Sequence, residues 1–157
     1  MNLTTISNDR LTVILDGCGA VLHSIRKDGA EYLWQGDPKY WARRDANLFP
    51  YVGRLSDGQY RLEGKTYSMP IHGFCIGRDF AVTEQSPDAV CFTLTDNAET
   101  YAMYPYRFAF HVRYRLDGNR IVKTCQVENR DSRQMYFGFG GHPGFNVPLN
   151  EEGSFDD

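Results

Sequence analysis

From Tyr106 to Leu116 the chain alternates. Phe108, Phe110, Val112, Tyr114 and Leu116 fall on one side, and Arg107, Ala109, His111, Arg113 and Arg115 on the other. A period of two is the signature of an extended chain with one buried face, so this segment predicts a strand. It runs into Asp117-Gly118, a hairpin turn signal, and a second strand from Arg120 to Asn129. The same pattern recurs at Tyr60–Leu62, turning at Glu63-Gly64 into Lys65–Met69, and at Phe80–Glu84 with Val90–Thr95 around Ser86-Pro87-Asp88. Shorter strands are expected at Leu11–Leu15, Val21–Arg26 and Met135–Phe139. Only Asn97–Met103 suggests a helical turn, which Pro105 stops. Many strands separated by glycine turns, without a long helix, indicate an all-β antiparallel sandwich or barrel.

At 157 residues, with no linker-like shift in composition, the chain is expected to form a single domain over 1–157. Ten Tyr and ten Phe suit strands and also supply flat apolar faces to a ligand. A formal net charge of -3 gives no long-range attraction for phosphate backbones or anionic lipid, so neither nucleic acid nor membrane is an expected partner. Polar residues Asn8, Asp9, Arg10 and Asp16 interrupt the N-terminal segment, and no stretch approaches the roughly 20 apolar residues of a membrane span. A cytoplasmic protein is expected. Cys18, Cys75, Cys91 and Cys125 lie far apart with no CxxC pair, which favours reduced core thiols over a disulfide frame or zinc site.

Candidate chemistry concentrates in two places. Gly140-Gly141-His142-Pro143-Gly144-Phe145-Asn146 holds an imidazole between glycines and a proline, and Ile71-His72-Gly73-Phe74 repeats a histidine followed by glycine and an aromatic ring. Imidazole titrates nearest physiological pH and suits a general acid. The bland alternative is a hydrogen-bonded turn histidine at each position. A third candidate is Arg54, one residue after Gly53, where a guanidinium reaches polar ligand oxygens. Arg43 and Arg44 read as solvated surface charges, and His23 and His111 as residues on strand faces. His72 and Cys75 lack the further ligands a zinc site requires, and no glycine-rich loop joins a strand to a helix. No metal and no organic cofactor are expected.

In order along the chain, Phe49-Pro50-Tyr51-Val52-Gly53-Arg54, Asp57 to Leu62 with Gly64 and Tyr67, His72-Gly73-Phe74, Tyr104-Pro105-Tyr106, and Gly141-His142-Pro143 with Phe145-Asn146 resemble the aldose 1-epimerase (galactose mutarotase-like) family. The pattern is similar to its divergent bacterial branch. The resemblance implies a galactose mutarotase-like supersandwich whose concave sheet holds a sugar, an aldohexose or its phosphate. It also implies an isomerase interconverting α and β anomers without a cofactor. By the same resemblance, Arg54 donates hydrogen bonds to sugar hydroxyls, His72 binds the sugar and stabilises charge, and His142 protonates the ring oxygen.

Members of that family are roughly twice this long, and their glutamate base and a sugar-binding aspartate follow the Gly-His-Pro motif. The 157 residues are therefore expected to be the N-terminal part of such a sandwich, incomplete at its C-terminus and inactive or nearly so. A half sandwich leaves sheet edges exposed, which predicts self-association or dependence on further polypeptide. Arg78, later after His-Gly-Phe than in many relatives, either meets a sugar phosphate or pairs with a surface carboxylate. Two other readings stay open: a noncatalytic carbohydrate-binding module or sugar sensor, and a scaffold in which both histidines merely cap turns.

Overall fold

The computed structural model describes residues 2–149 together with 153, 154 and 156. In chain order its strands are β1 (Leu3–Ser7), β2 (Thr12–Asp16), β3 (Val21–Lys27), β4 (Ala30–Glu31), β5 (Asn47–Leu48), β6 (Gln59–Leu62), β7 (Lys65–Ser68), β8 (Ala81–Gln85), β9 (Ala89–Thr95), β10 (Phe108–Asp117), β11 (Arg120–Asn129) and β12 (Gly140–Gly141), with a short 3-10 turn at Ser56–Gly58 before β6 and the α-helix α1 (Ala98–Met103) between β9 and β10. Two four-stranded antiparallel sheets, β1-β2-β3-β4 and β11-β10-β9-β8, are accompanied by the small pairs β12-β5 and β6-β7.

Alternation decides which faces meet. Val90, Phe92 and Leu94 of β9 and Phe108, Phe110, Val112, Tyr114 and Leu116 of β10 are buried, and they join Ile6, Val13, Leu15, Leu22 and Ile25 of the first sheet in one core cluster. The Tyr114 hydroxyl donates to the Ala20 carbonyl at 3.0 Å, tying the second sheet to the turn before β3. Phe49 stacks on Phe110 with ring centroids 4.7 Å apart, so the strand leading to the Val-Gly-Arg loop is anchored in the deepest part of the core. The Tyr-Pro-Tyr motif also serves packing: Tyr104 is buried and its hydroxyl donates to the Tyr136 carbonyl at 2.8 Å.

Helix α1 is a local device. The Asn97 side chain accepts from the Thr100 amide while the Thr100 hydroxyl accepts from the Asn97 amide, both at 2.9 Å, a reciprocal capping box. The structure corrects one expected strand. Met135–Phe139 carries no ladder; Gly138 N donates to the Pro50 carbonyl at 2.7 Å, and Phe137 and Phe139 lean on Phe49 and Phe110. Aromatic spacing in this segment reflects contact with the core rather than strand pairing. Among the described residues no helix is long and apolar enough to cross a membrane.

Candidate functional site

His72 and Gly73 occupy a sharp turn, with φ of +69° and +77°. Left-handed backbone is uncommon for a residue with a side chain, and histidine tolerates it better than most. The turn is fixed on both sides, because His72 N donates to the Gly53 carbonyl at 3.2 Å and Phe49 N donates to the His72 carbonyl at 3.2 Å. A Cβ on Gly73 would stand 2.0 Å from the Phe49 carbonyl oxygen, so only glycine permits this approach. The His72 ring is oriented as well: its Nδ1 lies 2.6 Å from the Val52 carbonyl oxygen. A carbonyl only accepts, so Nδ1 carries the proton and Nε2 is the atom left for a ligand.

His142 arrives from the far end of the chain on a clasp. Gly140 and Gly141 pair with Leu48 and Asn47, His142 N donates to the Ala46 carbonyl at 3.0 Å, and Gly144 N donates to the Arg44 carbonyl at 2.8 Å. The clasp's other end is held by Trp34 N to the Gly144 carbonyl at 3.0 Å and by Asn146 Nδ2 to the Glu31 carbonyl at 2.9 Å. Gly144 is needed because a Cβ there would meet Trp41 Cζ3 at 2.9 Å.

These two attachments bring the imidazoles together, with ring centroids 6.3 Å apart. His142 is exposed and His72 half-buried, so neither is sealed in the core. Trp41 packs against the His142 ring at 5.1 Å. Arg54 is exposed one residue beyond Gly53, whose carbonyl accepts from His72, so the arginine leaves the backbone beside the histidine turn. A cavity of about 630 Å³ adjoins His72 and is lined by Arg43, Ile71, Ile76, Arg78 and Glu99 among others. Neither His142 nor Arg54 is among the residues that line it.

Several residues take other places. Arg78 forms a bidentate pair with Glu99, at 2.9 and 2.7 Å, so of the two alternatives for it the structure shows the surface carboxylate. Arg44 is not a free surface charge: its Nη1 donates to the His23 carbonyl at 2.6 Å and to Gln35 Oε1 at 2.7 Å, bracing the strand that receives the clasp. His23 is half-buried on β3, where burial and the Arg44 charge lower its pKa. His111 points its Nδ1 at Thr93 Oγ1, 2.8 Å away. Sequence reasoning missed Trp41. Its signal was the confinement of both tryptophans to the loop between β4 and β5, opposite the glycine-rich clasp.

An antiparallel sandwich of this kind is a galactose mutarotase-like fold, and the chain belongs to the aldose 1-epimerase family, whose model matches residues 2–156. Among proteins of known sequence it is 36% identical over 159 residues to the chromosomal protein LacX of Lactococcus lactis subsp. lactis, covering 97% of this chain and 53% of that one. Among solved structures, a galactose mutarotase-like protein from Lactobacillus casei is 41% identical with a TM-score of 0.92, covering 99% of this chain and 53% of the other. A galactose mutarotase related enzyme from Lactobacillus acidophilus is 38% identical with a TM-score of 0.93, covering 96% and 51%. The chain thus spans about half the length of the relatives it matches.

Proposed function

We propose that this protein is an aldose 1-epimerase-like isomerase that interconverts the anomers of an aldohexose, with His142 as the acid that protonates the ring oxygen. His72 binds the sugar through Nε2 and stabilises charge, and Arg54 donates to hydroxyls. The supporting observation is the convergence of two imidazoles at 6.3 Å, His72 set by its left-handed turn and His142 by the strand pairing of the clasp. Ring opening needs a base for the anomeric hydroxyl as well as an acid for the ring oxygen. The base in this proposal is a carboxylate on polypeptide outside the 157 residues. Tyr136, Phe137, Phe139 and Phe145, which flank the clasp along the chain, keep much of their rings exposed, and exposed apolar groups of this kind suit a covering layer or self-association.

The test compares two proteins. The 157-residue chain should bind galactose or glucose, seen as movement of the His72 and His142 ring resonances on sugar addition, and leave mutarotation at the buffer rate. A chimera continuing from this chain into the second half of the Lactobacillus casei relative should accelerate relaxation of freshly dissolved α-galactose or α-glucose by polarimetry, and His142→Ala should remove that acceleration. Rates equal to buffer for a folded chimera would falsify the enzyme reading. A noncatalytic sugar-binding module is the second reading, favoured by the exposed Tyr40 ring and Trp41 beside His142. It predicts sugar binding in both proteins and catalysis in neither.

A further inference from the structure

Strand β11 carries one residue that breaks its own pattern. Its core-facing row reads Ile121, Lys123, Cys125, Val127, placed opposite Leu116, Tyr114, Val112 and Phe110 of β10. A lysine in that row sits over the Tyr114 ring, with Nζ 5.4 Å from its centroid, and lies 3.6 Å from Asp45 Oδ2. The Asp45 side chain is 0% exposed. Its Oδ1 accepts from Ala46 N at 2.8 Å and its Oδ2 from Leu22 N at 3.1 Å. An ion pair whose carboxylate is fully buried and whose ammonium is half-buried is a poor stability device, since apolar residues of the same volume commonly do as well or better. What such a pair supplies is a fixed arrangement of the elements it joins.

The elements joined here are those that hold His142. Asp45 lies between Arg44 and Ala46, whose carbonyls receive Gly144 N and His142 N. The ammonium of Lys123 stands 3.9 Å from the point where a Cβ on Gly141 would lie, directly under β12. One carboxylate and one ammonium therefore join β3, β11 and the segment entering β5, beside β12 at the root of the clasp. We infer that Asp45 and Lys123 are positioning residues for His142, setting its height and angle beside the His72 ring while leaving the His72 turn in place. His72 hangs from Val52 and Gly53 by hydrogen bonds, and the polar partners of Asp45 and Lys123 are instead Ala46, Leu22 and each other. This inference rests on the reading of His142 as the acid.

The experiment uses the 157-residue chain with its histidine rings observed by proton–carbon correlation NMR, in Lys123→Met, Lys123→Arg and the doubly neutral Asp45→Asn/Lys123→Met variant. The double variant leaves no unpaired buried charge and decides the matter if Lys123→Met does not fold. Loss of charge should move the His142 ring correlations and weaken the cross-relaxation between the His142 and Trp41 rings, with His72 unmoved, while Lys123→Arg keeps the native spectrum. In the catalytic chimera the double variant should lower kcat roughly 10- to 100-fold with little change in KM, as a displaced acid does. His142 unmoved, or His72 moving equally, overturns the inference. Native sugar-independent spectra behaving as expected beside a chimera that fails to catalyse would instead refute the functional reading and leave the positioning role standing.

Discussion

Replacing Gly73 by alanine tests the claim that the His72 turn is held by a backbone approach no side chain can share. The added Cβ would lie 2.0 Å from the Phe49 oxygen, 2.3 Å from the Phe49 carbon and 2.7 Å from the Pro50 nitrogen. All three are backbone atoms of a buried segment, so none can rotate away. Holding alanine at φ of +77° costs about 1–2 kcal/mol. Relieving the clash separates the two segments and loses Phe74 N to Phe49 O at 2.9 Å and Phe49 N to His72 O at 3.2 Å, about 1 kcal/mol each. Shifting Phe49 off its partners adds overpacking strain of about 1–3 kcal/mol. The sum, about 4–7 kcal/mol, approaches the whole stability of a typical domain, roughly 5–15 kcal/mol. Urea denaturation followed by tryptophan fluorescence measures it, since both tryptophans lie outside the altered turn. A loss below about 1 kcal/mol would show that the turn has room to spare and that the His-Gly pairing has another reason.

Three further outcomes follow from the packing and the charges. Phe110→Ala, a fully buried ring stacked on Phe49, should cost about 3–5 kcal/mol in the same assay, and a loss under about 1 kcal/mol would place the core elsewhere. Asp131 has its carboxyl lowered to about 2, first by its hydrogen bonds with the Arg133 side chain. Its folded value lies below the unfolded one, so its contribution is fully present above about pH 4 and is lost as pH falls towards about 2. The melting-temperature gap between wild type and Arg133→Gln should accordingly narrow across that window, and a pH-independent gap contradicts it. Burial pushes the thiol pKa up at Cys75, Cys18 and Cys125 alike, so access decides, and Cys75 and Cys91 are the buried pair. Iodoacetamide should therefore modify the half-buried Cys18 and Cys125 first, with native labelling and mass spectrometry as the readout.

Strands that alternate against a core were legible because burial writes itself into the sequence at period two. The Phe108–Asp117 and Arg120–Asn129 hairpin is the plainest case. Strand β1 escaped notice because of its two inward positions one is Thr4, leaving Ile6 as its sole large buried residue. Met135–Phe139 misled for the opposite reason, since its rings satisfy the core without a ladder. At the site, His72 and His142 stood out because a glycine adjoins each. The Asp45–Lys123 pair did not, because a long-range partnership leaves no local spacing, and only the charge in an apolar row hinted at it. Arg44 looked solvated because a guanidinium that braces two carbonyl-bearing segments has the same composition as one that faces water.

The clasp has a kinetic meaning as well as a geometric one. Its bonds to the Arg44–Leu48 stretch close a chain loop of roughly a hundred residues, whose entropic penalty is repaid only after the intervening hairpins exist. The histidine it carries is therefore expected to dock late, and on partial opening it should depart before the sheets melt. Hydrogen exchange at the amides of His142 and Gly144 should accordingly exceed that of the central strand β10.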